Sequence, residues 1–106
     1  MRLRVFLERL AEKDLEEYVD YIAADNPSAA ARFIESVETA FAQLADMPRI
    51  GVVREFRNPR LKGIRVRPIP SFEKYLIFYV LSADEVQVLR VIHGARDIPS
   101  VLGEEQ

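Results

Sequence analysis

The chain has 106 residues, a length for one compact domain rather than two, expected to run over 1–106 with about 99–106 as a flexible tail. Hydrophobic residues at 49% and charged residues at 30% match a globular chain that can bury a modest core. The absence of cysteine excludes disulfides, thiolate chemistry and cysteine-held zinc, and a single histidine excludes a histidine-rich metal site. The net charge of −2 hides a division along the chain. Ten acids face three bases between Glu8 and Asp46, and eight bases face two acids between Arg49 and Lys74. That asymmetry points to an anionic partner for the basic part, or to charges that compensate within the fold. The closely spaced charges of the first residues argue against a signal peptide, and no apolar run is long enough to span a bilayer. No membrane association is expected, and the cytoplasm is the expected location.

The first element is a short strand at "RLRVFL", with Leu3, Val5 and Leu7 on its buried face. Ala11, Leu15, Tyr18, Val19 and Ile22 then recur at helical spacing, with Glu12, Lys13, Glu16, Glu17 and Asp20 opposite, and this helix ends near Asp25. Asn26 and Pro27 open a second helix, since asparagine caps free amides and proline suits the first helical position. Its stripe is Ala30, Phe33, Ile34, Val37, Phe41, Leu44 and Met47; Pro48 ends it and Gly51 favours a turn. The short link predicts an antiparallel helical hairpin.

Residues Ile50 to Arg60 show no period and read as a loop. "KGIRVRPI" alternates, placing Ile64 and Val66 towards a core and Arg65 and Arg67 outward, and Pro68 and Pro70 put that strand near an edge. "KYLIFYVL" and "VQVLRVIH" are joined by a tight turn at "SADE". Strict alternation sets Leu76, Phe78 and Val80 against Tyr75, Ile77, Tyr79 and Leu81, and Val86, Val88 and Ile92 against Leu89 and Val91. The predicted fold is α+β, a two-layer sandwich in the order β-α-α-β-β-β, with the helical hairpin packed on a small, mainly antiparallel sheet.

Two helices cover one face of a sheet, yet the last two strands are apolar on both faces. The second face should therefore be an apolar patch that meets a partner, at positions such as Ile77 and Leu89. The loop at 50–60, the C-terminal tail or a second copy of the chain in a homodimer would cover it equally well.

Five stretches in order, "AEKDLEEYVDYIA", "RFIESVETAFAQLADMPRIG", "LKGIRVRPIP", "KYLIFYVL" and "VQVLRVIHGARDI", resemble the ParE toxins of the RelE/ParE superfamily, the toxins of type II toxin–antitoxin modules also called plasmid stabilization proteins. The likeness runs from Leu3 to about Leu102. It implies the same fold with the first strand beside the last, a helical ParD-like antitoxin as partner, and DNA gyrase as the target of a protein inhibitor that needs no cofactor and no metal. It implies no sequence-specific nucleic-acid binding by the chain alone. RelE-type relatives instead cut messenger RNA on the ribosome. Against their pattern, Leu76 stands where an arginine is expected and Leu102 roughly where a tyrosine is, and leucine neither transfers a proton nor screens a phosphate. A nuclease would have to rely on Arg90, His93 and Arg96. The reading is a gyrase-inhibiting toxin with no catalytic residues. The alternatives are a RelE-type endoribonuclease and a degenerate member that only binds its antitoxin. Partner contacts are expected at Arg65, Arg67, Ile77, Leu89, His93 and Arg96, with His93 and Arg96 read first as strand-end and turn residues. Gly94 permits the sharp turn between them.

Overall fold

A computed structural model describes residues 2–103. Strand β1 (Arg4–Leu7) leads into helix α1 (Arg9–Asp25), and helix α2 (Pro27–Asp46) follows at once. The joint turns on Asn26: its backbone N–H donates to Ile22 O at 2.8 Å, closing α1, and its side-chain oxygen accepts from Ala29 N at 3.1 Å, opening α2 with Pro27 in the first turn. Beyond α2 come the two-residue strand β2 (Val52–Val53), a 3-10 turn at Pro59–Leu61, then β3 (Arg65–Ile69), β4 (Phe72–Leu81), β5 (Glu85–His93) and the short helix α3 (Ile98–Val101). The five strands form one sheet in the order β1-β5-β4-β3-β2. Among the described residues only the β1–β5 pair is parallel, and the first strand lies beside the last.

Two cores flank the sheet. Under the helical hairpin lie Ala11, Phe33, Val37, Ala40 and Leu44 from the helices, and Ile69, Ile77, Tyr79, Val86, Val88 and Val91 from the strands. On the other face Phe78 and Ile92 join Leu61, Ile64 and Ile98, with Phe56, Val66, Leu76, Val80, Leu89, Val101 and Leu102 packed around them. Each large side chain buried in this way contributes about 1.5–3 kcal/mol relative to exposure, so the second cluster is a core in its own right.

The expectation of an open second face is therefore wrong. The segment expected to be a plain loop supplies Phe56, with Leu61 just beyond it and Ile64 facing a core as expected, and the expected tail supplies Val101 and Leu102 next to Ile98. Residues 98–102 pack as part of the domain, and the end of the expected tail, 104–106, lies outside the described residues. Ile77 is completely buried beneath the helices and Leu89 is half-buried in the second cluster, so the two lie on opposite faces rather than sharing an exposed one. The expectation fails at Ile77 because the helices cover the face of β4 that carries Ile77 and Tyr79, and β5 in addition carries a bulge. Register runs Phe78↔Arg90 and then Tyr79↔Val88, leaving Leu89 as an extra residue. The bulge reverses the alternation of β5, so Val91 rather than Ile92 faces the helices.

The turn after α2 is pinned from inside. The Tyr79 hydroxyl, wholly buried, donates to Pro48 O at 2.7 Å and accepts from Gly51 N at 2.8 Å. Burial, the largest influence, pushes its phenol above the ordinary value. Arg65, paired in register with Tyr79, donates to Gly51 O at 2.7 Å and to Arg49 O at 3.3 Å, and Arg67 donates to Gln43 Oε1 at 3.0 Å. These two arginines are thus half-buried on the helix side of the sheet and bonded to it, not free on an outward face.

A Cβ on Gly51 would sit 2.5 Å from the Tyr79 hydroxyl oxygen. Gly51→Ala should lower stability by about 1–3 kcal/mol through overpacking. Tyr79→Phe should cost about 1–3 kcal/mol because it leaves the Gly51 amide and the Pro48 carbonyl unpaired. Urea unfolding followed by circular dichroism measures both, and wild-type midpoints would refute this view of the turn.

Candidate functional site

The polar residues of the C-terminal half of β5 converge on α1. β1 ends at Leu7, whose register partner is Val88, and the Glu8 amide makes the last bond of that edge, to Val88 O at 2.9 Å. From Leu89 onward β5 has no strand on this side, and the Val91 and His93 amides point at α1. Asp14 Oδ2 accepts from Val91 N at 3.0 Å, and the Tyr18 hydroxyl oxygen, one helical turn on, accepts from His93 N at 3.0 Å. Two side chains at i and i+4 stand in for a missing strand, as that spacing on a helix allows.

Arg90 completes the arrangement. Its Nε donates to Asp14 Oδ2 and its Nη2 to Asp14 Oδ1, both at 2.8 Å, while Nη1 donates to Val101 O at 3.2 Å. The pair is mostly enclosed, with Asp14 6% exposed. Hydrogen bonding to the carboxylate holds the Arg90 guanidinium above its ordinary value, more than burial lowers it. A planar fork against a carboxylate is the geometry in which arginine binds most firmly. Asp14 was legible in principle: it falls at an apolar phase of α1 between Ala11 and Leu15, where an acid needs a buried partner.

His93 ends the strand differently. Its Nδ1 accepts from Ala95 N at 3.1 Å, and its ring stands edge-to-face against Tyr75 at 4.9 Å. Tyr75 also meets Tyr18 at 4.9 Å and Phe33 at 5.0 Å. Arg96 is exposed, and its amide donates to His93 O; the turn does not require glycine at position 94, where φ is not positive and a Cβ would come no closer than 3.5 Å to Lys74 O. Arg90, His93 and Arg96 therefore do not share one set of contacts: the first is bound to a buried acid and the second braces a turn. Arg65 and Arg67 lie at the other end of the sheet order, on β3. Among the described residues no group of three or more His, Cys, Asp or Glu side chains is arranged to hold a metal, and no helix is long and apolar enough to cross a membrane.

A second feature escaped reading from sequence. A groove of about 210 Å³ runs over the hairpin between α1 and α2, lined by Leu15 and Val19 from one helix and Ile34, Val37 and Phe41 from the other. Ile34 is 43% exposed there. Glu16, Asp20, Glu35 and Glu38 are exposed on the same two helices and give the hairpin its acidic character.

Removing one member of an enclosed pair leaves an unpaired charge. Asp14→Ala should destabilise by about 3–5 kcal/mol, and Asp14→Asn by less, since the amide oxygen still accepts from Val91. Denaturant titration of the two variants is the check. A loss below about 1 kcal/mol in Asp14→Ala, the value of an exposed pair, would show that the fork contributes nothing to folding.

Comparison with known proteins places this arrangement. Residues 5–98 match the family described as the ParE toxin of the type II toxin–antitoxin system, parDE. Toxin Y4kP of Sinorhizobium fredii is 35% identical over 101 residues, covering 95% of this chain and 98% of its own. A solved chain of the chromosomal ParDE toxin–antitoxin system of P. aeruginosa superposes with a TM-score of 0.67 at 19% identity, over 87% of this chain and 96% of that one. A chain of the RelBE2 toxin–antitoxin complex of Mycobacterium tuberculosis does so at 0.57 and 25% identity, over 88% and 99%. With the family pattern spanning nearly the whole chain and the same fold in solved toxins, this protein belongs to the ParE toxins of type II toxin–antitoxin systems, within the wider ParE/RelE superfamily.

Proposed function

We propose that this toxin acts as a protein inhibitor of DNA gyrase in the cytoplasm and is neutralised by a ParD-like antitoxin whose amphipathic helical segment lies in the α1–α2 groove. The observation that carries the first half is the engagement of Arg90. A phosphoryl-transfer site needs a base and cations free to meet developing charge. Here Arg90, one of the two arginines three residues from His93, is forked onto Asp14 while the other, Arg96, is exposed, and the His93 Nδ1 is taken by a backbone amide. Together with leucine at positions 76 and 102, this supports inhibition by binding over hydrolysis. The likeness to a RelBE2 chain keeps ribosome-dependent message cleavage as the second reading.

Of the helix pair and the second sheet face, both expected to receive the antitoxin, the hairpin is kept because the sheet face is covered. The groove has an apolar floor with carboxylates on the flanking helix faces, which suits a helix with an apolar stripe bordered by lysine or arginine. The solved relatives are toxin–antitoxin assemblies, which supports a partner of this kind. For the target, the exposed cations Arg54, Arg60 and Lys62 on the segment over the second face replace Arg65 and Arg67 as the basic surface, because the latter two are bonded within the fold.

Purified toxin assayed for gyrase supercoiling, beside cleavage of ribosome-bound message, tests the proposal. Supercoiling should be blocked and gyrase-dependent DNA breaks should rise, with message intact; cut message with normal supercoiling would reverse the assignment. Ile34→Glu should weaken antitoxin binding by about tenfold or more, since a charge replaces an apolar anchor. It should leave the melting temperature near wild type, and unchanged affinity would remove the groove from the interface.

A further inference from the structure

At the free end of the sheet, beside the Asp14–Arg90 fork, an open cleft of about 470 Å³ is lined by Glu17, Tyr18, Tyr21, Tyr75 and His93. Four of its five lining residues are aromatic rings and the fifth is a carboxylate. We propose that this cleft is a binding site for an arginine side chain presented by a partner protein, with the rings stacking on the guanidinium and Glu17 accepting its hydrogen bonds.

The walls are fixed before any ligand arrives. Tyr18 is held because its hydroxyl oxygen accepts from the His93 amide at 3.0 Å. Tyr75 is held edge-to-face between Tyr18 and His93, both at 4.9 Å, with Phe33 at 5.0 Å from the core side. His93 is held by the Ala95 amide on its Nδ1. Rings that are already ordered lose little freedom on binding, which lowers the entropic cost of capture. Tyr21 is different: it is 77% exposed, so core packing does not explain a large aromatic there.

The rings and the carboxylate of the lining both favour a cation, while the exposed Lys74 and Arg96 adjoin Tyr75 and the His93 turn. Aromatic faces carry negative quadrupole density that attracts cations within about 6 Å of the ring centroid, arginine more often than lysine. Burial pushes the Tyr75 phenol up, and its Tyr18 and Tyr21 neighbours push it further, as expected where three phenols crowd together. Glu17 brings a carboxyl group to the cleft, and the exposed Glu16 and Asp20 add two more along α1. Arg90, the nearest cation of β5, is directed to Asp14 and Val101 rather than into this cleft. An arginine guanidinium fits better than an ammonium because its plane stacks on rings while its edge reaches a carboxylate.

This site does not depend on whether gyrase or the ribosome is the target. The probe is N-acetyl-arginine N-methylamide, with the citrulline analogue as a neutral control of nearly the same shape. Ring signals of Tyr18, Tyr21, Tyr75 and His93 are followed by NMR in the full chain. The arginine probe should shift all four saturably, with a dissociation constant on the order of 1–10 mM for so small a ligand. The citrulline analogue should bind at least about tenfold more weakly, and Tyr21→Ala and Glu17→Gln should each weaken the arginine probe about three- to tenfold, in the range of single cation–π and charge-pair losses. Both replaced residues are exposed, and an unchanged melting temperature confirms a folded control. Equal response to arginine and citrulline, shifts spread along the acidic face of α1 instead of the cleft, or unaltered binding by both variants would each overturn the proposal.

Discussion

A sheet whose second strand outlives the edge strand beside it must place the stranded amides somewhere, and here that problem organises the molecule. β1 is only four residues long, while β5 runs on for five residues beyond Val88. Left bare, the Val91 and His93 amides would each lack a partner inside the fold, a loss of about 1–3 kcal/mol per group. Asp14 and Tyr18 take them, which fixes the rotation of α1 about its own axis and its distance from the sheet. The bulge at Leu89 sits where the strand pairing ends, and Arg90 beyond it reaches both Asp14 and the last carbonyl of α3. One guanidinium thereby ties together the helix over one face and the helical turn over the other.

The consequence for function is that conspicuous polar residues are occupied. "RVIHGARDI" carries an arginine, a histidine and a second arginine in quick succession, and in isolation it suggests acid–base chemistry. In the fold the first arginine neutralises a buried acid and the histidine braces a turn. What remains available is surface: an apolar groove between acidic helices, an aromatic cleft beside it, and a band of cations over the opposite face. A molecule of this kind is suited to holding other macromolecules, and the acidic and basic halves of the chain end up on different layers, with the acids on the hairpin and the exposed cations on the segment over the second core.

How much of this was legible depended on periodicity. The β4 alternation, both helices and the Asn26–Pro27 joint could be read because each obeys one period or one cap, although Ile34 and Met47 of the α2 stripe lie exposed rather than in the core. β5 misled because a single extra residue reversed its faces after Val88. That reversal moved Val91 to the helix side, while the choice of Ile77 as an exposed position came from supposing that the helices cover the opposite face of β4. The cover over the second face was invisible for another reason. Phe56 sits on irregular backbone, Leu61 in a three-residue 3-10 turn and Ile98 and Val101 on one helical turn, each too short for a period to mark it as core, and their burial follows only once the apolar face they meet is in place. Arg65 and Arg67 were misjudged because strand alternation was taken to separate core from solvent, when both sides of this sheet are packed.

The claim that α1 side chains serve in place of a strand is tested most directly by amide hydrogen exchange in the unaltered protein. The Val91 and His93 amides should exchange as slowly as ladder amides in the middle of β4, because their bonds to Asp14 and Tyr18 open only with larger unfolding of the sheet. Exchange of both at the rate of exposed turn amides such as Ala95 would contradict it, showing that the open edge of β5 is solvated and that the fork does not hold the fold together.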